Sequence, residues 1–404
     1  MLPVNVLVNP AHYLIDDSLQ GSEYTWVASI LKGLAECEKY YLHIITGAVE
    51  SFNDDSRYYK IYEILPSIKD KNSLLRRLYF LFKKSATSRL LNRKNDVRII
   101  HHMLPYWLGV TFDPDFIIRD KSKAYLIGPI QSPHLDTLSD SLVTGTDKLV
   151  YTALKRASGY LSKLTLRKAD SIVTINTHTR EVLLKMGIEA GKIDVIPPGI
   201  DTDKFRFMPF EEKDQERIII ITVGHLVKRK GTELLIKAMS DVARKQKNVE
   251  LSIVGDGPES RSLKDLTRDL GLDDVVTFRG SIPHHEVCRE YERSHIFVSM
   301  SLDESWGQVY LEAMACGLPV ITTKNTGSNA IIRNGEFGYL IEQGSQNMLL
   351  DRLSILIENK QMISEFGKKA RQEAVDRYDW KRVIIPRYVG LYDSLMRRVA
   401  EKNH

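Results

Sequence analysis

Two glutamates in the segment DESWGQVYLEAMACGLPVI are spaced for a long ligand that is charged at its centre. Glu304 and Glu312 stand eight positions apart, and a helix is predicted from about Gln308 to Cys316. At a rise of about 1.5 Å per residue the separation corresponds to about 12 Å. One carboxylate would bind each of two hydroxyl-bearing rings, and a diphosphate between them would meet the amides of the helix N-terminus. The pair alone would suit an ordinary surface helix, but the ESWG loop and the AMACGLP end favour a nucleotide-sugar site.

A basic loop follows a predicted strand in the same half of the chain. The strand RIIIITV ends at Gly224, and the loop after it contains Lys228, Arg229 and Lys230 before Gly231. Open α/β sheets bind ligands at the carboxyl ends of their strands, and a cation there can stabilise a departing diphosphate. Three basic residues in a loop elsewhere would be ordinary solvated charge. At this edge of a sheet they predict a diphosphate-binding loop.

The elements that must position these residues alternate between strands and helices, which is typical of parallel sheets covered by helices. The predicted strands are VNVLVN, HIITG, DVRIIHH, KAYLIGP, DSIVTIN and KIDV in a first series, and RIIIITVG, NVELSIVGDG, DVVTFRG, HIFVSMS and LPVITT in a second. Two series of similar length predict an α/β protein with two doubly wound, Rossmann-like domains.

Domain boundaries follow from the same alternation. The polar stretch 205–217 is the best linker candidate, so the first domain is predicted to span 1–203 and the second 204–381. The last segment, 382–404, has apolar residues at helical spacing. It is predicted to form a helix that packs back on the first domain.

Composition restricts the class of protein. The 404 residues are 43% apolar and 27% charged, which is ordinary for a globular chain. Cys37, Cys288 and Cys316 are scattered, so neither a disulfide framework nor a zinc site is expected. The sequence shows neither a signal-peptide pattern nor a membrane-length apolar run, and a cytoplasmic location is predicted.

Positive charge is concentrated in residues 71–94. This segment contains no acidic residue, and its basic residues are interleaved with leucine and phenylalanine. A helix of this kind can lie on an anionic membrane surface, which would place the protein at the inner face of a membrane. The alternative is a domain helix whose charges are simply solvated. Nucleic acid is not an expected partner, because no binding motif accompanies the charge.

Seven motifs occur in the order found in one enzyme family: IPPGIDTDKF, VGHLVKRKG, IVGDGP, FRGSIP, ESWGQVYLE, AMACGLPVI and NGEFGYLI. With these motifs the chain resembles the retaining glycosyltransferases of family 4, and the resemblance extends over nearly the whole chain. It implies the GT-B fold, in which two Rossmann-like domains face each other across a cleft. It also implies retaining transfer without a metal ion or a cofactor, with the nucleoside diphosphate sugar bound mainly by the second domain and the acceptor by the first.

The resemblance also implies roles for individual residues. Glu304 would contact the donor sugar, Glu312 the ribose, and Lys230 the diphosphate. The other implied donor-site residues are the loop residues Ser305, Trp306, Gly307, Gln308 and Val309, which would complete the anion site, and Arg279 and Gly280, which would lie beside the base.

The chain departs from the family pattern at two places. The family usually has an arginine directly after the glycine of the VGHLVKRKG motif, whereas here His225 follows Gly224. A mostly neutral imidazole is not equivalent to a guanidinium that is always charged. Either Arg229 compensates, or the enzyme is slow or differently specific. The proline and glutamate commonly found near TGSNAII are also missing, which leaves the identity of the donor sugar open.

The first half offers weaker candidates. HHMLPYW and LIGPIQSPH resemble loops that face the cleft in one branch of the family. His102 and His134 are therefore predicted to contact the donor sugar or the acceptor, as catalytic residues beside Glu304 and Lys230. The alternative is that His102 and its neighbour His101 merely end a strand and bond to backbone.

The predicted function is retaining transfer of a sugar from a nucleoside diphosphate sugar, expected to be a UDP-sugar, to a hydroxyl of a glycan or lipid-linked glycan. Two alternatives stay open: a sugar-nucleotide epimerase on the same architecture, and a non-catalytic partner subunit, which His225 suggests. A covalent nucleophile role for Glu304 is less favoured, since no second carboxylate is evident near it. A dehydrogenase fits worse, because G-x-G-x-x-G follows no strand at the start of either series.

Overall fold

The computed structural model of the chain divides into two compact units. Unit 1 comprises Met1–Pro198 and Ile384–His404, and unit 2 comprises Gly199–Val383. The structure describes residues 2–9, 14–16, 22–46, 48–51, 57–64, 74–103, 114–117, 119–131, 160 and 162–402. The predicted site residue His134 lies outside the described residues.

Unit 1 is built on parallel strands connected by helices. Its strands are β1 (Val4–Val8), β2 (Leu14–Asp16), β3 (Tyr40–Thr46), β4 (Ala48–Ser51), β5 (Tyr59–Glu63), β6 (Val97–His102), β7 (Ala124–Ile130), β8 (Ser171–Thr174) and β9 (Ile193–Val195). Its helices before the unit boundary include α1 (Ser22–Glu36), α2 (Leu74–Lys94), α3 (Pro114–Ile117) and α4 (Thr177–Lys185). In the described part of the unit, one sheet has the order β5-β3-β1-β6-β7-β8-β9, and β2 pairs with β4. β7 is buried along its whole length, as expected for an apolar parallel strand covered on both faces.

Unit 2 repeats this architecture with six strands in one sheet. The strands are β10 (Ile218–Val223), β11 (Val249–Val254), β12 (Val276–Gly280), β13 (Ile296–Ser299), β14 (Val320–Thr323) and β15 (Gly338–Ile341). The helices are α5 (Thr232–Lys245), α6 (Ser260–Asp269), α7 (His284–Arg293), α8 (Gln308–Ala315), α9 (Thr326–Ile331), α10 (Gln346–Glu358) and α11 (Lys360–Tyr378). All paired neighbours are parallel, and the order is β12-β11-β10-β13-β14-β15. The predicted α/β class with two doubly wound sheets is confirmed.

The core of unit 2 lies between the sheet and the apolar faces of its helices. Ile220 in β10 and Ile296 in β13 are fully buried, and α5 buries Leu235, Met239 and Val242 at a helical spacing of four and three. Each such side chain contributes about 1.5–3 kcal/mol when it is removed from water. This packing fixes the strand ends from which the site loops start.

The last helix packs on unit 1. A π-type turn (Trp380–Ile384) leads into α12 (Ile385–Lys402). The ring of Tyr392 lies 5.1 Å from that of Tyr40 at an interplanar angle of 78°, an edge-to-face contact. The next residue, Asp393, accepts a hydrogen bond from Lys39 at 2.6 Å.

Residues 205–217, expected to be a linker, are packed into unit 2 instead. Phe205 is 2% exposed, and the buried ammonium of Lys213 donates to the carbonyl of Ser294. The chain passes between the units earlier, at Pro198. The linker prediction is therefore wrong, because Phe205 and Lys213 anchor the stretch in unit 2 although most of its other polar residues are exposed.

Helix α2 lies in the basic segment 71–94 and buries one of its lysines. The side chain of Lys84 is fully buried, and its Nζ lies 3.7 Å from a carboxylate oxygen of Asp115. The same oxygen accepts hydrogen bonds from Ser88 at 2.6 Å and from Asn9 at 2.8 Å. The described exposed basic residues of the helix are Lys83, Arg89, Arg93 and Lys94. Lys84 therefore belongs to the interior of unit 1, and counting it with the solvated or membrane-facing charge is wrong.

Candidate functional site

The strand order of unit 2 reverses between β10 and β13, which is the place where doubly wound sheets bind ligands. The loop after β10 contains Gly224 and Lys230, and the loop after β13 contains Glu304. The two loops are in contact, since the amide of Leu302 donates to the carbonyl of Arg229 at 2.8 Å. The topology thus brings together the two segments that the sequence singled out.

Lys230 and Glu304 form an ion pair at this edge. Their Nζ and Oε2 atoms lie 2.5 Å apart, and the side chains are 19% and 20% exposed. Lys230 ends a short 3-10 turn, and the next residue, Gly231, has a φ of 65°. A side chain at Gly231 would strike the carbonyl oxygen of Met300, 2.3 Å from its Cβ. The glycine therefore lets the lysine turn pack tightly against the strand that leads to Glu304.

A small pocket beside this pair is lined by residues of both strand ends. It includes Thr222, Gly224, His225, Lys230 and Ser299. His225 is exposed, and its Nδ1 donates to the carbonyl of Asp256 at 2.7 Å. Because a carbonyl only accepts, Nδ1 holds a proton. Neutral His225 therefore presents Nε2 as an acceptor, and the ring can donate to an anion there only as imidazolium.

Arg229 supports the Glu304 loop. Its Nη1 donates to the carbonyl of Asp303 at 3.2 Å. The guanidinium thus contacts backbone of the neighbouring loop. Its predicted compensation for the imidazole of His225 stays a prediction.

The loop before α8 needs a glycine at one position. Gly307 has a φ of 81°, and a Cβ there would lie 2.3 Å from the ring of Tyr310. Trp306 is 2% exposed and packs at 6.0 Å from the ring of Tyr378. This arrangement starts α8 directly after the loop, so that the first turn directs its N–H groups to the loop side.

Three other predicted residues flank this turn. Ser305 and Val309 are partly exposed. The side-chain amide of Gln308 donates to the carbonyl of Gly199 at 3.0 Å. The side chains of Trp306 and Gln308 contact protein, and the predicted binding of an anion by the backbone amides of this turn stays a prediction.

Glu312 lies in the second turn of α8 and is 6% exposed. One carboxylate oxygen accepts a hydrogen bond from the hydroxyl of Tyr291 at 3.0 Å, and the other lies 3.4 Å from Nε2 of His284. Burial, together with the nearby carboxylate, raises the pKa of Tyr291 well above its ordinary value, so the phenol stays protonated and donates. The carboxylate is thus oriented by two protein groups.

Arg279 and Gly280 end the strand β12 on the same edge of the sheet. Nε of Arg279 lies 3.5 Å from a carboxylate oxygen of Glu290, so its side chain is drawn towards α7. The carbonyl of Gly280 accepts a hydrogen bond from the amide of Gly255 at 2.8 Å. A contact with a base through backbone at this strand end agrees with the placement, and the role itself stays a prediction.

The histidines of unit 1 are placed differently. His101 is fully buried, with Nε2 donating to the carbonyl of Gly128 at 2.9 Å and Nδ1 lying 2.7 Å from the hydroxyl of Tyr392. Burial lowers its pKa to about 3, so the ring is neutral. His102 is also fully buried and lies edge-on to Phe116 at 6.1 Å. In this structure His102 has no exposed surface with which to touch a sugar.

Sequence analysis missed the two groups that orient Glu312. His284 and Tyr291 are seven positions apart in α7, which places them on one face of the helix. That spacing is visible in the sequence, but their proximity to Glu312 requires the packing of α7 against α8. Over the described residues, no group of three His, Cys, Asp or Glu side chains is arranged to hold a metal ion. A helix long and apolar enough to cross a membrane is likewise absent from that part of the chain.

Comparisons with known proteins place two family profiles on the chain. The profile of the glycosyl transferases group 1 matches residues 203–373, and that of glycosyltransferase family 4 matches residues 25–204. The second match spans most of unit 1 and the first most of unit 2.

Two curated relatives show which activities occur among similar chains. A GDP-mannose-dependent alpha-(1-6)-phosphatidylinositol monomannoside mannosyltransferase of Mycolicibacterium smegmatis is 27% identical over 227 residues, 53% of this chain and 59% of the relative. A D-inositol 3-phosphate glycosyltransferase of Gordonia bronchialis is 28% identical over 254 residues, 58% of this chain and 55% of the relative. The similarity thus spans little more than half the length of these relatives.

Two solved structures resemble the whole chain. Sucrose-phosphate synthase from Thermosynechococcus elongatus superposes with a TM-score of 0.70 at 20% identity, covering 98% of this chain and all of the other. HepE of Anabaena, in complex with UDP and glucose, gives a TM-score of 0.61 at 17% identity over 99% of both chains. At these identities the likeness concerns the fold, and it confirms the predicted GT-B fold.

Proposed function

This chain belongs to glycosyltransferase family 4, and we propose from that premise that it transfers a sugar, with retention, from a nucleoside diphosphate sugar to a hydroxyl of a glycan or lipid-linked acceptor. The observation that supports this most is the ion pair of Lys230 and Glu304 at the reversal of strand order in unit 2. A cation and a carboxylate side by side suit a ligand whose phosphate and sugar hydroxyls are neighbours.

Each group of the site has one part of the donor to bind. Lys230 and the first-turn amides of α8 stabilise the diphosphate as negative charge develops on it. Glu304 accepts hydrogen bonds from hydroxyls of the donor sugar. Glu312, oriented by Tyr291, accepts those of the ribose. The charge-assisted bonds to a carboxylate are stronger than neutral ones, which suits groups that must fix the donor's position.

The proposed transfer needs no protein nucleophile. The bond between the anomeric carbon and the phosphate oxygen breaks as the acceptor oxygen attacks the same face of the sugar. The acceptor proton passes to the departing phosphate. The protein contributes stabilisation of the leaving group, chiefly through Lys230, and exclusion of water.

Two donor classes follow from different observations. The sequence predicts a UDP-sugar, whereas the mannosyltransferase relative uses GDP-mannose. Calorimetry with UDP, GDP and ADP and their sugars decides between them. We expect one nucleoside diphosphate to bind at least about tenfold more tightly than the others, since a base pocket discriminates by a few hydrogen bonds.

The role of the two glutamates gives the decisive test of the function. Glu312→Ala should weaken binding of the nucleoside diphosphate about tenfold or more, because a charged partner of the ribose is lost. Glu304→Ala should leave that affinity within about twofold and lower sugar transfer at least about 100-fold. The exposed residues Asp303 and Glu358 supply matched alanine controls, which should keep both properties.

The outcomes of this test also separate the alternatives. Unchanged affinity and transfer in both glutamate variants would remove the site assignment. Inverted sugar nucleotide formed without an acceptor would identify an epimerase. Nucleotide binding without turnover, for any acceptor supplied, would identify a non-catalytic subunit.

The acceptor is proposed to be lipid-linked. This rests on the exposed basic residues of α2 in unit 1 and on the phosphatidylinositol monomannoside acceptor named for one relative. A Lys or Arg near an anionic membrane surface contributes about 1 kcal/mol to binding. Reversing the charges of Lys83, Arg89 and Arg93 should therefore lower binding to phosphatidylglycerol vesicles at least about 100-fold.

The matched control reverses three exposed basic residues of unit 2, Lys245, Lys247 and Arg261. Equal loss of vesicle binding in the two triple variants would argue against α2 as the contact surface. Binding unaffected by either would argue against membrane association of this kind.

A further inference from the structure

Lys204 and His284 connect the motif IPPGIDTDKF to the buried carboxylate of Glu312. The ammonium of Lys204 lies 2.8 Å from Nδ1 of His284. On the other side of the ring, Nε2 lies 3.4 Å from Oε1 of Glu312. Lys204 is exposed, His284 is about one third exposed, and Glu312 is buried, so the chain of contacts runs from the surface to the site.

The partners of the ring determine where its proton lies. An ammonium group only donates, so Nδ1 of His284 must accept the hydrogen bond from Lys204. The proton of the neutral imidazole is then on Nε2, which faces Glu312. With Tyr291 donating to the other oxygen, both oxygens of the carboxylate are oriented by the protein. Each oxygen keeps lone-pair capacity for a ligand hydroxyl.

Local backbone structure holds Lys204 and the ring in place. The carboxylate of Asp201 accepts hydrogen bonds from the amides of Asp203 and Lys204, at 3.0 and 2.9 Å, which closes a tight turn. The turn is followed by the buried Phe205, whose ring lies 5.5 Å from that of His284 at 69°. The motif residues thus present a donor to Nδ1 and an aromatic edge to the imidazole.

We propose that Lys204 and His284 are positioning residues: they fix the tautomer and orientation in which His284 holds the Glu312 carboxylate towards the two ribose hydroxyls of the donor nucleotide. The proposal rests on the proposed function, in which Glu312 binds the ribose. The proposed role affects the preference of the site for ribose over dideoxyribose. A merely structural role would leave that preference unchanged. Loss of a structural contact weakens ribose and dideoxyribose ligands equally, whereas loss of positioning weakens only the ligand with hydroxyls.

Calorimetry on the full chain tests this with UDP, GDP and ADP and their 2′,3′-dideoxy forms. The wild type should prefer the ribose form of its nucleotide about tenfold or more. His284→Ala should lower that preference to about threefold or less, with the affinity for the dideoxy form within about twofold of wild type. His284→Gln should restore most of the preference, because its amide can donate to Glu312 and accept from Lys204.

Further variants isolate the contact with Lys204. Lys204→Met should lower the preference by a smaller factor, and should have no further effect in the His284→Ala background, since the two residues act through one ring. His285→Ala is the matched control on the same helix, because His285 is 74% exposed. It should keep the wild-type preference.

The results that would contradict the proposal can be distinguished from one another. Wild-type preference in His284→Ala, together with its loss in Glu312→Ala, would overturn the positioning role and leave the proposed function standing. Equal weakening of ribose and dideoxy forms in His284→Ala would also overturn it. A wild type that binds none of UDP, GDP and ADP would overturn the positioning role together with the proposed function.

Discussion

The two units share a topology but use the ends of their central strands differently. In both sheets the strand order reverses once, between β1 and β6 in unit 1 and between β10 and β13 in unit 2. In unit 2 the loops at the reversal present Lys230 and Glu304, each about one fifth exposed. In unit 1 the corresponding strand ends present Asn9 and His101, which are fully buried. Polar residues at equivalent strand ends therefore differ in whether their side chains keep contact with solvent, and only those of unit 2 named here do so.

Asn9 and His101 are hydrogen-bonded to other elements of unit 1. Asn9 donates to Ser88 in α2 and to Asp115 in α3. His101 lies between β7 and Tyr392 of α12. Because a buried polar group without a partner costs about 1–3 kcal/mol, such networks specify how helices dock. Asn9 and His101 thus connect elements within unit 1, whereas Lys230 and Glu304 of unit 2 are proposed to bind the donor.

The largest expected effect is on turnover, from the site of unit 2. Lys230→Ala should lower kcat/KM for the donor about 100- to 1000-fold, because a cation next to the leaving diphosphate is lost. Steady-state kinetics with the preferred donor measures this. Lys228→Ala, in the same 3-10 turn but exposed, is the control and should stay within about threefold of wild type. Equal effects of the two variants would contradict a specific role for Lys230.

The next effect is on the stability of unit 1. Lys84→Ala should lower the free energy of unfolding of unit 1 by about 3 kcal/mol, because it leaves the Asp115 carboxylate without its buried cation. Hydrogen exchange of the β1 and β6 amides reports this, and donor affinity in unit 2 should not change. Lys83→Ala on the exposed side of α2 is the control. An equal decrease in the free energy of unfolding in the two variants would mean that burial of Lys84 does not matter for the stability of unit 1.

Acid should destabilise both units through buried histidines. Burial lowers the pKa of His101 to about 3 and, with Lys213 nearby, that of His295 in unit 2 to about 4, against 6.5 for an ordinary histidine. Between pH 6.5 and these values the unfolded chain binds more protons than the folded chain, so the free energy of unfolding falls as pH falls. Each histidine should remove about 2 kcal/mol of stability between pH 7 and pH 5. Hydrogen exchange at both pH values, corrected for intrinsic rates, measures the loss in each unit.

His101→Gln sharpens this comparison. In this variant the free energy of unfolding of unit 1 should depend less steeply on pH, because glutamine does not titrate. The pH dependence of the free energy of unfolding of unit 2 should not change. A wild-type slope in unit 1 of the variant would show that another group accounts for the acid sensitivity.

The smallest effect is expected at the contact between α12 and the rest of unit 1. Lys39 and Asp393 are 49% and 36% exposed, and exposed pairs contribute below about 1 kcal/mol. Lys39→Ala should therefore increase the hydrogen-exchange rates of the α12 amides only slightly. Tyr392→Phe, which removes a buried partner of His101, should increase them by more. The reverse order would mean that surface charge holds this helix.

The elements around the candidate site of unit 2 were predictable because their signals are local. Gly307 and the helix after it follow from residues within one turn of each other, and Lys230 follows an apolar strand. The interior of unit 1 was less predictable. The pattern of α2 does place Lys84, Ser88 and Leu91 on one buried face, but the carboxylate that makes a buried lysine tolerable, Asp115, lies in another helix. The charge of Lys84 alone therefore suggested a solvated side chain.

The linker prediction at 205–217 was wrong for a related reason. Composition reports how polar a segment is, but not whether its polar groups have protein partners. Lys213 is among the residues that made the stretch look solvent-exposed, and it is buried with its ammonium bonded to a carbonyl of unit 2. Hydrogen bonds to distant backbone leave no trace in local composition.

The sequence by itself determined the alternation of strands and helices, the strand ends proposed to bind a ligand, and the residue types that stand there. The tertiary structure decided which of these residues meet: Lys230 with Glu304 across 74 positions of sequence, and His284 with Glu312 across 28. The physical reason is that the loops at the ends of parallel strands become neighbours according to the order of those strands in the sheet. That order is set by the packing of the whole unit. The same packing decides which polar side chains are buried and which protein groups orient them, as Tyr291 and His284 orient Glu312.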